Sequence, residues 1–438
     1  MTQRYVEQFR QFAEDGAGTA PAWVNERRAS AIERVTALGF PTTKNEDWHF
    51  TSVAPIVERE FTFVAAKTGD VSRDDLEGFG FGADGWHRAV FVNGRFAPEL
   101  SDLGRLQPKV RVLSLASAWK DAPELAKRVG TIVGGDAVFT ALNTAFMPDG
   151  VVVHVPRNVE VHDPIHVVFI ADANAATTVM YPRNLIVLDD NARATVIESY
   201  VALGDATYFT NAVTEVSVGA GATLAHYKVQ REARRAYHVG TIEAKQARDS
   251  HYVSFSFATG ASLSRTNVYT ALDGEGCGAT LNGLYMLDGE QHCDHQTRIE
   301  HVQPNCFSRE VYKGVLDGRS HGVFNGKVYV HSAAQKTDGK QTNNTLLLSK
   351  EAQVDTKPQL EIFADDVKCT HGATVGRLDD AALFYMKSRG VNADVAKRLL
   401  VYAFAADVLE TIEQTDVRES LERVTLERFV AVNEAVAV

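Results

Sequence analysis

A thiol and an imidazole two positions apart on an extended backbone can hold one metal ion between them. The segment Asp365-Asp-Val-Lys-Cys369-Thr-His371-Gly-Ala-Thr-Val-Gly376 has that spacing. In a strand, residues i and i+2 point to the same face, so Cys369 and His371 would aim side by side. Such a pair supplies half a site for iron, copper or zinc, and another chain is one source of the remaining ligands. Lys368 would lower the thiol pKa, while Asp365 and Asp366 would raise it. The competing reading is a buried cysteine and a hydrogen-bonded histidine on a terminal strand. Spacing alone favours that plainer reading, because Cys-x-His is a common pattern.

A second cluster is His292-Cys293-Asp294-His295, followed by His301 and Cys306. On a strand, His292 and Asp294 share one face and Cys293 and His295 the other. A metal site is one reading; ordinary strand-surface histidines are the plainer one. The pairs Asp189-Asp190 and Asp365-Asp366 read as turn markers rather than acid/base dyads. Gly322-Val-Phe-Asn-Gly326-Lys327-Val328 has the outline of a phosphate loop. It is one residue short between the glycines, and Val328 stands where Ser or Thr must bind magnesium. It also runs into a strand, so no helix N-terminus awaits a phosphate. It reads as a β-turn. Gly274-Glu-Gly276-Cys-Gly278 reads as a coil corner and not as a dinucleotide fingerprint. No Gly-x-Ser-x-Gly elbow and no His-Glu-x-x-His occurs.

The elements that must position these residues fall into three textures. Over 1–150, helical spacing covers residues near 3–14 and 22–38, the second stopped by Gly39. Ala89-Val-Phe-Val-Asn-Gly-Arg-Phe reads as a hairpin about Asn93-Gly94. Short helices are expected around 114–129 and 135–146. Over 151–370 the chain is a succession of β runs, such as Val151-Val-Val-His-Val, Leu185-Ile-Val-Leu and Thr214-Glu-Val-Ser-Val. In Thr223-Leu-Ala-His-Tyr-Lys-Val, alternation would turn Ala225, Tyr227 and Val229 inward and His226, Lys228 and Gln230 outward.

Ala194-Thr-Val, Ala222-Thr-Leu and Ala279-Thr-Leu recur at offsets of 28 and 57 residues, one and two periods of about 28. A strand-rich segment with such a period points to stacked coils of a β-solenoid, with the small residue at each corner. A β-sandwich is the rival. Over 371–438 the chain is helical. Asp379 and Asp380 cap a segment that Gly390 stops, and Asn392 or Asp394 opens the next. Val395, Leu399, Tyr402, Ala406 and Leu409 form one apolar stripe, widened by Phe404, Val408 and Ile412. A third amphipathic stretch carries Leu421, Val424 and Phe429. Such stripes are ordinarily core, and the excess width here leaves room for a docking surface.

The 438 residues, 45% of them hydrophobic and 23% charged, suit a globular protein. Lys+Arg is 45 against Asp+Glu 56, a net charge of -11 that repels nucleic-acid phosphates. No run of 18 apolar residues suggests a membrane span. The polar, amphipathic start lacks the core of a secretory signal, so a cytoplasmic location is expected. The four cysteines are then expected as thiols or metal ligands rather than disulfides.

Several segments resemble the SufB/SufD family of iron–sulfur cluster assembly proteins. They are Phe324-Asn-Gly-Lys-Val-Tyr-Val-His-Ser-Ala-Ala-Gln-Lys-Thr-Asp-Gly-Lys-Gln-Thr-Asn-Asn344, the run Val354–Gly376 and Phe384-Tyr-Met-Lys-Ser-Arg-Gly390. Lys44-Asn-Glu-Asp-Trp-His-Phe-Thr51 is similar to the family's N-terminal signature, and is expected to pack rather than react. His-Gly-Ala-Thr-Val-Gly has the form of the SufD branch, and the cysteine-rich motifs of some SufB proteins are missing. The resemblance spans roughly residues 40 to 410.

It implies a mainly β fold: a right-handed parallel β-helix flanked by N-terminal and C-terminal helical regions. It implies a non-enzymatic scaffold subunit, without a nucleotide site, that pairs with a SufB-like homologue and a SufC-like ATPase. It further implies transient iron or a nascent cluster at the SufB interface, with no cofactor tightly bound in isolation. His371 is then an iron or cluster ligand, and Cys369 a ligand or its support. Self-association is expected when the homologue is missing. A purely structural dimerisation partner and a β-helix enzyme such as a polysaccharide lyase are the readings from other classes.

Overall fold

The structure is a computed structural model and describes residues 2–15, 20–63, 70–81, 85–134, 137–172 and 176–428. From Arg193 onward, each strand pairs in parallel with the strand two further along the chain. Successive strands therefore alternate between two sheets, one of 11 strands and one of 10. Together they stack into a parallel β-helix of about 8 turns, flanked by helices at both ends of the chain.

The coil period is not fixed. Paired positions advance by 30 residues from Arg193 to Thr223, by 28 from Thr223 to His251 and by 27 from His251 to Gly278. Ala194 and Ala279 thus occupy equivalent rungs three coils apart. Ala222 does not join them: Leu224 pairs with Ala194, so the middle tripeptide is two residues out of register. Ala222 instead sits at a coil corner with Ala192, Ser250, Cys277 and Cys306, each immediately before a strand of the 10-stranded sheet and each buried. The solenoid expectation holds, and its corner rule holds for Ala222 alone of the three alanines.

Each sheet is covered by helices over part of its outer face. Helices Thr2–Asp15, Ala22–Leu38 and Val138–Phe146 pack against Tyr237, Val239 and Leu263 of the 11-stranded sheet. Helices Ala393–Leu409 and Thr415–Arg428 pack against Tyr227, Val229, Phe255, Phe257 and Leu284 of the 10-stranded sheet. Residues before 150 also enter the sheets. His87–Val92 runs parallel to Ile165–Ala171 and turns back at Asn93 and Gly94 into Arg95–Phe96. Both turn residues have positive φ, 48° and 79°, as a tight hairpin turn requires.

This covering inverts the alternation expected at 223–231. Tyr227 and Val229 face outward under the C-terminal helices, while His226, Lys228 and Gln230 point into the bore. Lys228 Nζ crosses the bore to donate to Thr266 Oγ1 of the opposite sheet, at 3.1 Å. Period-2 patterning shows that the faces differ, but a sheet buried on both sides does not obey apolar-in.

The segment 322–328 is also corrected. It lies inside the strand His321–Val330, not in a turn. Its glycines are there because neighbours fill the bore. A Cβ at Gly322 would lie 3.0 Å from Tyr285 and Leu316 atoms, and one at Gly326 would lie 2.4 Å from Gln341 Nε2.

At the C-terminus, Asp379 caps helix Asp380–Ser388 and Asn392 caps helix Ala393–Leu409 through their side chains. The buried face of the second helix is Ala396, Val401, Ala405, Val408 and Leu409, continued by Ile412. That face is rotated about one residue from the expected stripe, and Leu399 is exposed. Leu421 is buried in the last helix, and Phe429 lies outside the described residues. No described helix is long and apolar enough to cross a membrane.

Candidate functional site

The stack ends in two strands that each pair on one side only, Gln353–Ile362 and Val367–Gly376. The corner leading into the second is pinned from the coil beneath. Lys336 N–H donates to Asp366 O at 2.6 Å, and Asp366 N–H donates to Gln335 Oε1 at 2.9 Å. In the ladder, Cys369 pairs with Gly339 and His371 with Gln341. The thiol stands over a gap left by the glycine: a Cβ at Gly339 would lie 3.4 Å from Cys369 Sγ and 3.4 Å from Ser308 Oγ. Cys369 and His371 therefore share the bore-facing side of the terminal strand, the thiol half-buried and the imidazole exposed.

Burial is the main reason the Cys369 thiol sits above its ordinary pKa. The Gly339 N–H opposes that rise, and the charge of Asp338 adds to it. The acidic contribution thus comes from Asp338, one coil down, rather than from Asp365 and Asp366. A metal ion would have to displace the thiol proton, and a half-buried thiol beside an exposed imidazole is open to an approaching ion on one side. All four cysteines are free: Cys277, Cys293 and Cys306 are buried.

The cluster at 292–295 divides as its spacing predicts, but no metal-ligating group forms there. Outward, Asp294 Oδ2 accepts from Thr51 Oγ1 at 2.6 Å and from Arg265 at 2.8 Å, and His292 Nε2 lies 2.9 Å from Thr51 Oγ1. The Trp48 ring covers the Arg265 guanidinium at 3.7 Å, and Lys357 pairs with Glu46 at 2.7 Å. The 44–51 segment is thus a clamp across the outer face of the coils, in keeping with the packing role expected of it. Inward, Cys293 Sγ lies 3.6 Å from His295 Nδ1. Burial pushes that thiol up to about 12 and that imidazole down to about 3, so neither is charged near neutrality. Among the described residues, no three His, Cys, Asp or Glu side chains are grouped to hold a metal. Cys369 and His371 accordingly stand as two potential donors with no third beside them among the described residues.

Two bore residues beneath the pair escaped the sequence reading. Gln341 Nε2 donates to Glu310 Oε2 at 2.7 Å, and both side chains are buried. Burial pushes the Glu310 carboxyl up to about 7, against hydrogen bonds that favour its ionised form. The available signal was in Thr337–Leu347, where Gln341, Asn343 and Thr345 alternate as a polar file that is nevertheless buried.

These features define the class of protein: a parallel β-helix with helices at both ends of the chain and a thiol and an imidazole side by side on its last strand. Comparison with known proteins places it more closely. Residues 169–404 match the family described as SUF system FeS cluster assembly, SufBD core domain, and residues 1–167 match the SufBD protein N-terminal region. The chain belongs to the SufB/SufD family of the SUF system of iron–sulfur cluster assembly. It is 35% identical to an iron–sulfur cluster assembly SufBD family protein of Synechocystis, over 90% of this chain and 89% of that one. It is 34% identical to the iron–sulfur cluster assembly protein SufD of Escherichia coli, over 89% of each. It is 27% identical to SufD of Bacillus subtilis, over 96% of each.

Proposed function

We propose that this chain is the SufD-type scaffold subunit of an iron–sulfur cluster assembly complex, and that its open coil docks on a SufB-like homologue. The observation that carries this reading is the position of His371 and Cys369 on one face of the last strand, at an unpaired sheet edge. Iron and sulfide are the substrates of assembly. Thiolate and imidazole ligands divided between two chains hold them without enclosing them, so the product can leave. His371 ligates iron or the nascent cluster, and Cys369 ligates or supports it.

A SufC-like ATPase docks on the C-terminal helices, where Phe384, Tyr385 and Leu399 are exposed. Closure of two ATPase subunits pulls those helices and shifts the interface between the coils, opening the ligands to iron. Alone, the chain uses the same unpaired edges to pair with a second copy.

The test is co-expression of His371→Ala with the SufB-like and SufC-like partners, followed by anaerobic measurement of iron and acid-labile sulfide. Cluster content should fall sharply while the complex still copurifies. Wild-type cluster content in that variant would reject the ligand role.

A further inference from the structure

Metal-bound histidines almost always donate their second ring N–H to a fixed acceptor, which sets ring orientation and tautomer. His371 has a candidate for that acceptor directly beneath it. Paired residues of a parallel ladder carry their side chains on the same face, about 4.8 Å apart. His371 pairs with Gln341, and Gln341 faces the bore. The Gln341 amide is not free to choose which atom it presents upward. Its Nε2 donates down to Glu310 Oε2 at 2.7 Å, a carboxylate oxygen on the preceding coil. Oε1 branches from the same carbon, so it turns away from that coil. It is buried and has no hydrogen-bond partner among the described residues. Space for the amide comes from Gly326, where any Cβ would lie 2.4 Å from Gln341 Nε2.

We propose that Gln341, oriented by Glu310, is the positioning residue for His371: its Oε1 accepts one ring N–H and leaves the other ring nitrogen's lone pair for metal. This inference rests on the reading of His371 as a ligand. Neither Gln341 nor Glu310 touches the metal. Glu310 fixes the amide, the amide fixes the ring, and the ring binds. The polar file of the bore thus acts on the site at its mouth through two hydrogen bonds.

The experiment titrates Co(II) into the purified complex of this chain with its SufB-like and SufC-like partners, without oxygen, and follows ligand-field absorption. His371→Ala should remove the signal. Gln341→Leu should weaken Co(II) binding about 10- to 100-fold with the complex still assembled. The double exchange Glu310→Gln with Gln341→Glu reverses donor and acceptor but still presents an oxygen to His371. It should restore most of the affinity, which a merely structural role for Gln341 would not predict. It also decides the matter should Gln341→Leu fail to fold. Wild-type affinity in Gln341→Leu with the signal lost in His371→Ala overturns this inference and leaves the ligand reading standing. Failure of the double exchange to recover affinity also overturns it. A wild-type complex that takes up no Co(II), or a His371→Ala complex that binds like wild type, overturns the ligand reading and this inference together.

Discussion

Cys369 differs from the other three cysteines by being within reach of solvent, and its burial keeps it protonated. Folded protein should therefore lose one thiol to a small alkylating reagent, and the denatured chain all four. The pH midpoint of the Cys369 reaction should lie above the free-cysteine value of about 8.5, because the thiolate forms later. Mass spectrometry of the labelled peptide checks both; a midpoint at or below that value would remove burial as the governing effect.

Glu310 allows a second test at this scale, in the stability of the whole chain. Its carboxyl is raised from 4.5 to about 7 in the folded state. Between those values the folded chain holds a proton that the unfolded chain has released, so stability falls as pH rises through the window. Below the unfolded value the group contributes no penalty; above the folded value the penalty is complete. Glu310→Gln removes this dependence. The stability of the variant relative to wild type should therefore increase by roughly 2 kcal/mol from pH 5 to pH 8. Urea unfolding at the two pH values measures it, and a constant difference would contradict the buried-carboxyl account.

Elements succeed or fail here by how the bore is filled. Gly283 lies beneath Tyr312, with a Cβ there 2.3 Å from the ring, and Gly314 lies above Tyr285, with a Cβ there 2.4 Å from that ring. Gly283→Ala should therefore overpack the bore and cost about 1–3 kcal/mol, read as a lower urea midpoint. An unchanged midpoint would mean that the ring moves freely. Removal of the Asn392 cap should cost about 1 kcal/mol and fray helix Ala393–Leu409 at its start.

How the bore is filled also decides what was legible in the sequence. Helices Thr2–Asp15 and Ala22–Leu38, the hairpin at Asn93-Gly94 and the caps at Asp379 and Asn392 depend on local chemistry, and local sequence shows them. Cys369 and His371 were visible because an i, i+2 relation needs only an extended backbone. Gly322 and Gly326 looked like a turn because the side chains that displace a Cβ there, Tyr285 and Gln341, lie on other coils. The sense of the faces at 223–231 was unreadable for a related reason: which side is apolar depends on helices about 170 residues away. The Gln341–Glu310 bond joins residues 31 apart and leaves no local pattern beyond a polar file.

At the scale of the molecule, the decisive feature is that no described residue caps the last coil of the stack. Two strand edges, the exposed Ile362, Phe363 and Val375, and the Cys369–His371 pair all belong to the last coil or its exit corner. Unpaired edges with apolar neighbours favour association with another β-structure. Val375→Glu should weaken both self-association of the isolated chain and capture of the SufB-like partner, as read by analytical ultracentrifugation, with no loss of thermal stability. Unaltered association would move the interface elsewhere on the molecule.

The proposed scaffold role depends on an imidazole of this chain reaching iron that a partner chain also holds. Pulsed electron paramagnetic resonance of the reduced cluster tests this directly, in a complex where only this subunit carries 15N-histidine. A 15N hyperfine coupling to the cluster, lost in His371→Ala, is the predicted result. A reduced cluster with no coupling to any nitrogen of this chain would contradict it.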